Sequence, residues 1–161
     1  MLNEKDQNKT NDDPMNILLV EDSEDDILIT KRAFKHLKIK SKLYIVRDGQ
    51  EALDFVYHKG SYEDKQQYPI PDLILLDIKM PKVDGFQVLE TLKKDLEYMT
   101  IPVIMLTSSK NQEDIVRSYR NHAASYIQKP VSYEEFVDVI KVFSFYWHNI
   151  NKLPYGKGGK S

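Results

Sequence analysis

Glu21, Asp22, Asp77, Thr107 and Lys129 are the side chains whose types and settings allow joint chemistry in this sequence. Each follows a short run that reads as a strand. Ile17-Leu18-Leu19-Val20 leads into Glu21-Asp22, and Leu73-Ile74-Leu75-Leu76 leads into Asp77. Val103-Ile104-Met105-Leu106 leads into Thr107, and Ser125-Tyr126-Ile127-Gln128 into Lys129. An acid after one strand is ordinarily a turn or helix cap. Four strands ending this way deliver three carboxylates, a hydroxyl and an ammonium to one rim, where open parallel sheets bind ligands. Three carboxylates against one ammonium push one another's pKa upward unless something compensates. A hard dication such as Mg²⁺, held by one or two carboxylates and several waters, brings the charge sum to zero. Such a rim suits an incoming phosphoryl group, whose oxygens the metal and the lysine both oppose.

The elements that must position these groups are legible as an alternation. The three apolar tetrads read as strands covered on both faces of a sheet. Leu43-Tyr44-Ile45-Val46 and the segment before Lys129 are weaker strands with aromatic or β-branched centres. Between them, Ile27, Thr30, Phe34 and Leu37 recur at helical spacing, with Asp25 and Asp26 favouring the helix start. Residues 50–57, 86–96 and 111–120 read as further helices. A last helix is expected from Ser132 to about Asn149, with Glu135 completing a capping-box spacing. This βα alternation predicts an α/β fold, a parallel sheet with helices on both faces.

The chain has 161 residues, 41% hydrophobic and 30% charged, which suits one globular domain. The domain is expected at 15–150, between a polar, disordered tail at 1–14 and a flexible glycine- and lysine-bearing tail at 151–161. Twenty-three Lys and Arg against 25 Asp and Glu argue against a nucleic-acid partner. No apolar run reaches the ~20 residues that span a bilayer. The N-terminus lacks a signal-peptide core, so the cytoplasm is the expected location. Cysteine is absent, which excludes disulfides and thiol chemistry.

Taken in order, Glu21-Asp22, Asp77 in LILLDIKMP, Asp84-Gly85, Thr107 in IMLTSS, Tyr126 in SYIQKP and Lys129-Pro130 resemble the receiver domain of two-component response regulators. The resemblance runs from about Asn16 to Trp147. It implies the flavodoxin-like doubly wound sheet of five parallel strands, order 2-1-3-4-5, flanked by five helices. It implies that Asp77 is the phosphoacceptor, taking a phosphoryl group from a sensor histidine kinase or a phosphotransfer protein in a Mg²⁺-dependent reaction. Asp22 and Asp77 would ligate the metal with the backbone carbonyl of Lys79, and Glu21 would hold it through water. Thr107, Ser108 and Lys129 would contact the phosphoryl group, and a cis Lys129-Pro130 bond would fix the direction of the ammonium. Thr107 and Tyr126 would form the switch that alters the protein-interaction surface. On this reading the chain is a signalling domain that catalyses its own phosphotransfer and slow autodephosphorylation, not a turnover enzyme. A long loop before Pro71 and an aromatic C-terminal end resemble the stand-alone regulators paired with phytochromes.

This sequence departs from the family where Asn121-His122-Ala123-Ala124-Ser125 lacks a glycine and where Ser108 replaces a common alanine. Lys79 and Ser109 border the site at positions that tune phosphoryl lifetime in the family. Asp12-Asp13 and Asp25-Asp26 read as a tail pair and a helix start, outside the site. The four histidines lack zinc-ligand spacing, and no nucleotide-cradling glycine motif is present. A Mg²⁺-dependent aspartyl phosphohydrolase is the alternative, but its usual acid/base two positions past the nucleophile is here Lys79. A flavin carrier would need a phosphate loop where Glu21-Asp22-Ser23 stands. The loop from Lys59 to Asp72 is longer than usual, either a tolerated insertion or a partner surface. The last helix carries two apolar stripes, one of Tyr133, Phe136, Val137, Ile140, Phe143 and Trp147, the other of Val139, Val142, Tyr146 and Ile150. The second stripe predicts a homodimer through this helix, with the Leu153-Pro154-Tyr155 tail as the competing cover.

Overall fold

A computed structural model describes residues 14–36, 40–108, 111–129 and 133–145, without the side chains of 139, 143 and 144. Residues 1–13 and 151–161 of the expected tails, Ser109, Pro130 and its bond to Lys129, and Ser132 lie outside these residues, as do Leu37, Tyr146, Trp147 and Ile150.

Five strands form one sheet: β1 (Met15–Val20), β2 (Ser41–Val46), β3 (Leu73–Asp77), β4 (Val103–Thr107) and β5 (Ser125–Gln128). Their order is β2-β1-β3-β4-β5 and every pairing is parallel, as expected of the flavodoxin-like arrangement. Five helices alternate with them: α1 (Glu24–His36), α2 (Gly49–Tyr57), α3 (Gly85–Lys94), α4 (Gln112–Arg120) and α5 (Tyr133–Phe145).

The strand side chains alternate between two cores, because successive residues of a strand face opposite sides. Leu18, Val20, Ile74, Leu76, Val103 and Met105 meet Ala52, Phe55, Val56 of α2 and Phe86, Leu89, Leu92 of α3. Ile17, Leu19, Leu73, Leu75, Ile104 and Leu106 meet Ile27, Ala33, Phe34 of α1 and Phe136, Ile140 of α5. Covering both faces explains why β3 and β4 are apolar and buried at every position up to their last residue.

One helix end differs from the spacing. The third helix stops at Lys94, not Leu96. Asp95 turns extended (φ −92°, ψ 118°), its N–H bonds the Leu92 carbonyl, and its carboxylate accepts from Glu97 N–H. Leu96 is left 88% exposed. The long loop is not loose: a 3-10 turn at Gly60–Tyr62 sets Tyr62 against Phe55 (ring centroids 5.2 Å), and Tyr68 also packs on Phe55 (5.7 Å). His58, left-handed at φ 56°, caps α2 and donates from Nε2 to the Tyr68 carbonyl at 2.8 Å.

Candidate functional site

Strand register builds the rim. Val20 lies beside Leu76 and Asp77 beside Leu106, so the residues after β1 stand next to the end of β3. Thr107 lies beside Gln128, which sets Lys129 one step past the sheet, its N–H bonding the Thr107 carbonyl at 2.6 Å. Behind Asp77, the loop is turned by the approach of α3. Gly85 N–H bonds the Ile78 carbonyl at 2.8 Å, and a Cβ on Gly85 would fall 2.2 Å from the Asp77 carbonyl oxygen. Asp84 caps α3 in a reciprocal pair with Gln87, which fixes where the helix begins.

The acidic side chains converge. Glu21, Asp22 and Asp77 each offer an oxygen within 4.8 Å of the other two. Glu21 is buried and accepts from Ser23 N–H at 3.1 Å, while Asp22 is exposed. Lys129 Nζ donates to Glu21 Oε2, lies 2.9 Å from Asp26 Oδ2 and 3.8 Å from Asp77 Oδ2. Thr107 is fully buried at the end of β4 and Ser108 is exposed beside it. Tyr126 is half-buried on β5 and packs against the core that α2 and α3 share.

Burial dominates the electrostatics. It pushes the Glu21 carboxyl up to about 7, and the charge of Asp77 adds to it while the Lys129 hydrogen bond only partly offsets it. Burial raises Asp77 as well, against the charge of Lys129 and backbone N–H bonds from Ile78 and Lys79. Lys129 is opposed by burial but held above its ordinary value by hydrogen bonds to Glu21 and Asp26 and by the charge of Asp77. Both carboxyls are raised chiefly because burial penalises their charged forms. An all-oxygen cluster of this size fits a hard dication of the Mg²⁺ kind.

Asp26 belongs to this setting, contrary to its reading as a helix start alone. It does sit in the acidic first turn of α1, but its carboxylate also reaches Lys129. The signal was present in the spacing: Asp26 lies four residues after Asp22, and the helix that starts between them carries it back toward the rim. A sufficient local reason, the helix dipole, hid the longer-range one.

A doubly wound parallel sheet with an acid cluster and a lysine on its carboxyl rim defines a class of α/β domain whose rim could hold a cation. The response regulator receiver domain profile matches residues 17–141, and the chain belongs to that family. The probable methanogenesis regulatory protein FilR2 of Methanothrix harundinacea is 37% identical over 89% of this chain and 90% of its own length. Response regulator Rcp1 of Synechocystis sp. is 36% identical over 88% of this chain and 94% of its own, and its Mn²⁺-bound crystal structure superposes with TM-score 0.77, covering 88% of this chain and 99% of that one. The phosphorylated cyanobacterial phytochrome response regulator RcpA is similar too, with TM-score 0.78, 35% identity, and coverage of 88% and 99%. The chain thus resembles phytochrome-type receivers along nearly their whole length. Among the described residues no helix is long and apolar enough to cross a membrane.

Proposed function

We propose that this chain is a phosphorylatable response regulator that takes a phosphoryl group onto Asp77. An Asp77 carboxylate oxygen attacks the phosphorus of a phosphohistidine. The new P–O bond forms as the P–N bond breaks, and the histidine nitrogen keeps the electron pair and takes up a proton. The product is an acyl phosphate on Asp77. Mg²⁺, held by Glu21, Asp22, Asp77 and the Lys79 backbone carbonyl, would supply charge neutralisation at the transferred oxygens. Lys129, Thr107 and Ser108 contact the phosphoryl group. Thr107 draws the loop after β4 inward, and Tyr126 turns toward the space this leaves. The surface of α4, β5 and α5 changes by a population shift. The donor is a sensor histidine kinase or phosphotransfer protein, of the phytochrome type on the likeness to RcpA. The protein acts in the cytoplasm, as a homodimer through α5, without nucleic acid.

The observation that carries this reading is the convergence of three carboxylates and Lys129 on the end of β3. The phosphohydrolase alternative finds no support in the residue two past Asp77, which is Lys79 and offers no carboxyl for acid/base work. Incubation with Mg²⁺ and acetyl phosphate, read by intact mass, tests the proposal. One phosphoryl group is expected on the wild type and none on Asp77→Asn. Equal labelling of both, or labelling undiminished by EDTA, overturns it.

A further inference from the structure

Lys129 can donate three hydrogen bonds. Two of its partners are Glu21 and Asp26, and Asp77 at 3.8 Å lies beyond hydrogen-bonding distance. The ammonium therefore stands within ion-pair range of the carboxylate read as the phosphoacceptor, but spends its hydrogen bonds on Glu21 and on Asp26 of α1. Glu21 is shared with the acid cluster, so a dication there draws its charge away from the lysine. Asp26 is not one of the three clustered acids, so a cation held by them would not take it from Lys129.

We propose that Asp26 is a positioning residue that latches Lys129 to α1 and competes with the phosphoryl group for its ammonium. The inference rests on the phosphoacceptor reading of Asp77. When Asp77 carries a phosphoryl group, Lys129 leaves Asp26 for a phosphoryl oxygen, and the released carboxylate turns to water. Three features fit a reversible latch. The Asp26 side chain is 38% exposed, so release does not strand a buried charge. Its main chain is fixed independently, the N–H by Ser23 Oγ at 3.4 Å and the carbonyl by Thr30 Oγ1 at 2.8 Å. The pair joins the first turn of α1 to the end of β5 across 103 residues, so opening it alters the contact between two elements.

A partly exposed, charge-assisted pair is modest in strength, so its removal is expected to tighten binding of a phosphoryl mimic by roughly two- to fivefold. The test titrates wild type, Asp26→Asn and Asp25→Asn with beryllofluoride in the presence of Mg²⁺, reading bound fluoride by ¹⁹F NMR and folding by thermal melting. Asp25→Asn removes the same charge from the same helical turn, so a general effect of helix charge would show in both variants. Tighter binding by Asp26→Asn, with Asp25→Asn close to wild type, is the expected result. Asp26→Ala should behave as Asp26→Asn does, and a gain in only one of the two overturns the latch. So does no gain in either, or an equal gain in Asp25→Asn. A merely structural Asp26 would lower the melting temperature and weaken binding, the opposite sign. If the wild type itself takes up no beryllofluoride, the phosphoacceptor reading falls, which is a separable outcome.

Discussion

Glu21 is 1% exposed with a second acid beside it, and its carboxyl rises from an ordinary 4.5 to about 7, chiefly through burial. The folded chain therefore holds that proton more tightly than the unfolded chain does. Stability from this source is complete below 4.5 and is lost as pH rises through about 7. Asp77 is shifted in the same direction and adds to the slope. In EDTA the melting temperature should fall between these limits, and Glu21→Gln should flatten the fall. On the proposed reading Mg²⁺ should reverse part of it, since a cation held by the deprotonated acids of the folded state favours that state. Melting curves at a series of pH values, with and without Mg²⁺, decide the matter. An unchanged slope in the glutamine variant would assign the titration elsewhere. The residues of this cluster were legible in the sequence because each follows a strand. Asp26 was not, because a first-turn acid has an adequate explanation within its own helix.

Elements carry the site by where they stop. β1, β3 and β4 were legible because helices cover both faces, which leaves an apolar run with no polar alternation to confuse it. Boundaries were less so. Leu96 continues the apolar spacing of α3, yet the extended Asp95 ends the helix before it. The long loop announced itself by length, while its packing on Phe55 did not, since tyrosines such as Tyr62 and Tyr68 serve surface and core alike. Gly85 is where an element boundary and the chemistry meet. Any side chain there would strike the carbonyl of Asp77, and the obstacle is backbone, which cannot rotate away. Gly85→Ala must push α3 off the end of β3 or turn the Asp77 peptide. The expected cost is about 2–3 kcal/mol, the upper part of the overpacking range. Phosphorylation by acetyl phosphate should slow beyond what the unfolded fraction explains. A variant that melts and labels like wild type would show that the α3 approach is not what sets the Asp77 loop.

At the scale of the molecule, α5 leaves apolar surface exposed, as α1 does at Leu28 and Ile29 and α4 at Val116 and Tyr119. Phe136 and Ile140 go into the core beside α1, and Val137 packs against its margin. Val142 and Phe145 are 70% and 60% exposed, and Tyr133 also stands partly free of the core. Exposed apolar residues occurring singly need no explanation, but Val142 and Phe145 stand three residues apart, on one side of the helix. A net charge of −2 puts little repulsion between two copies. A twofold axis along α5 would bury Val142 and Phe145 against their own counterparts, the self-complementary geometry of a symmetric pair. The expected outcome is a dimer in sedimentation at micromolar concentration. Val142→Asp should weaken association tenfold or more, by placing two carboxylates across the axis at about 1.4 kcal/mol or above. Its own melting at low concentration should stay close to wild type, because the side chain is solvated before assembly. Wild-type protein that sediments as a monomer, with and without beryllofluoride, would leave the exposed face of α5 to another partner and remove the dimer from the proposed mechanism.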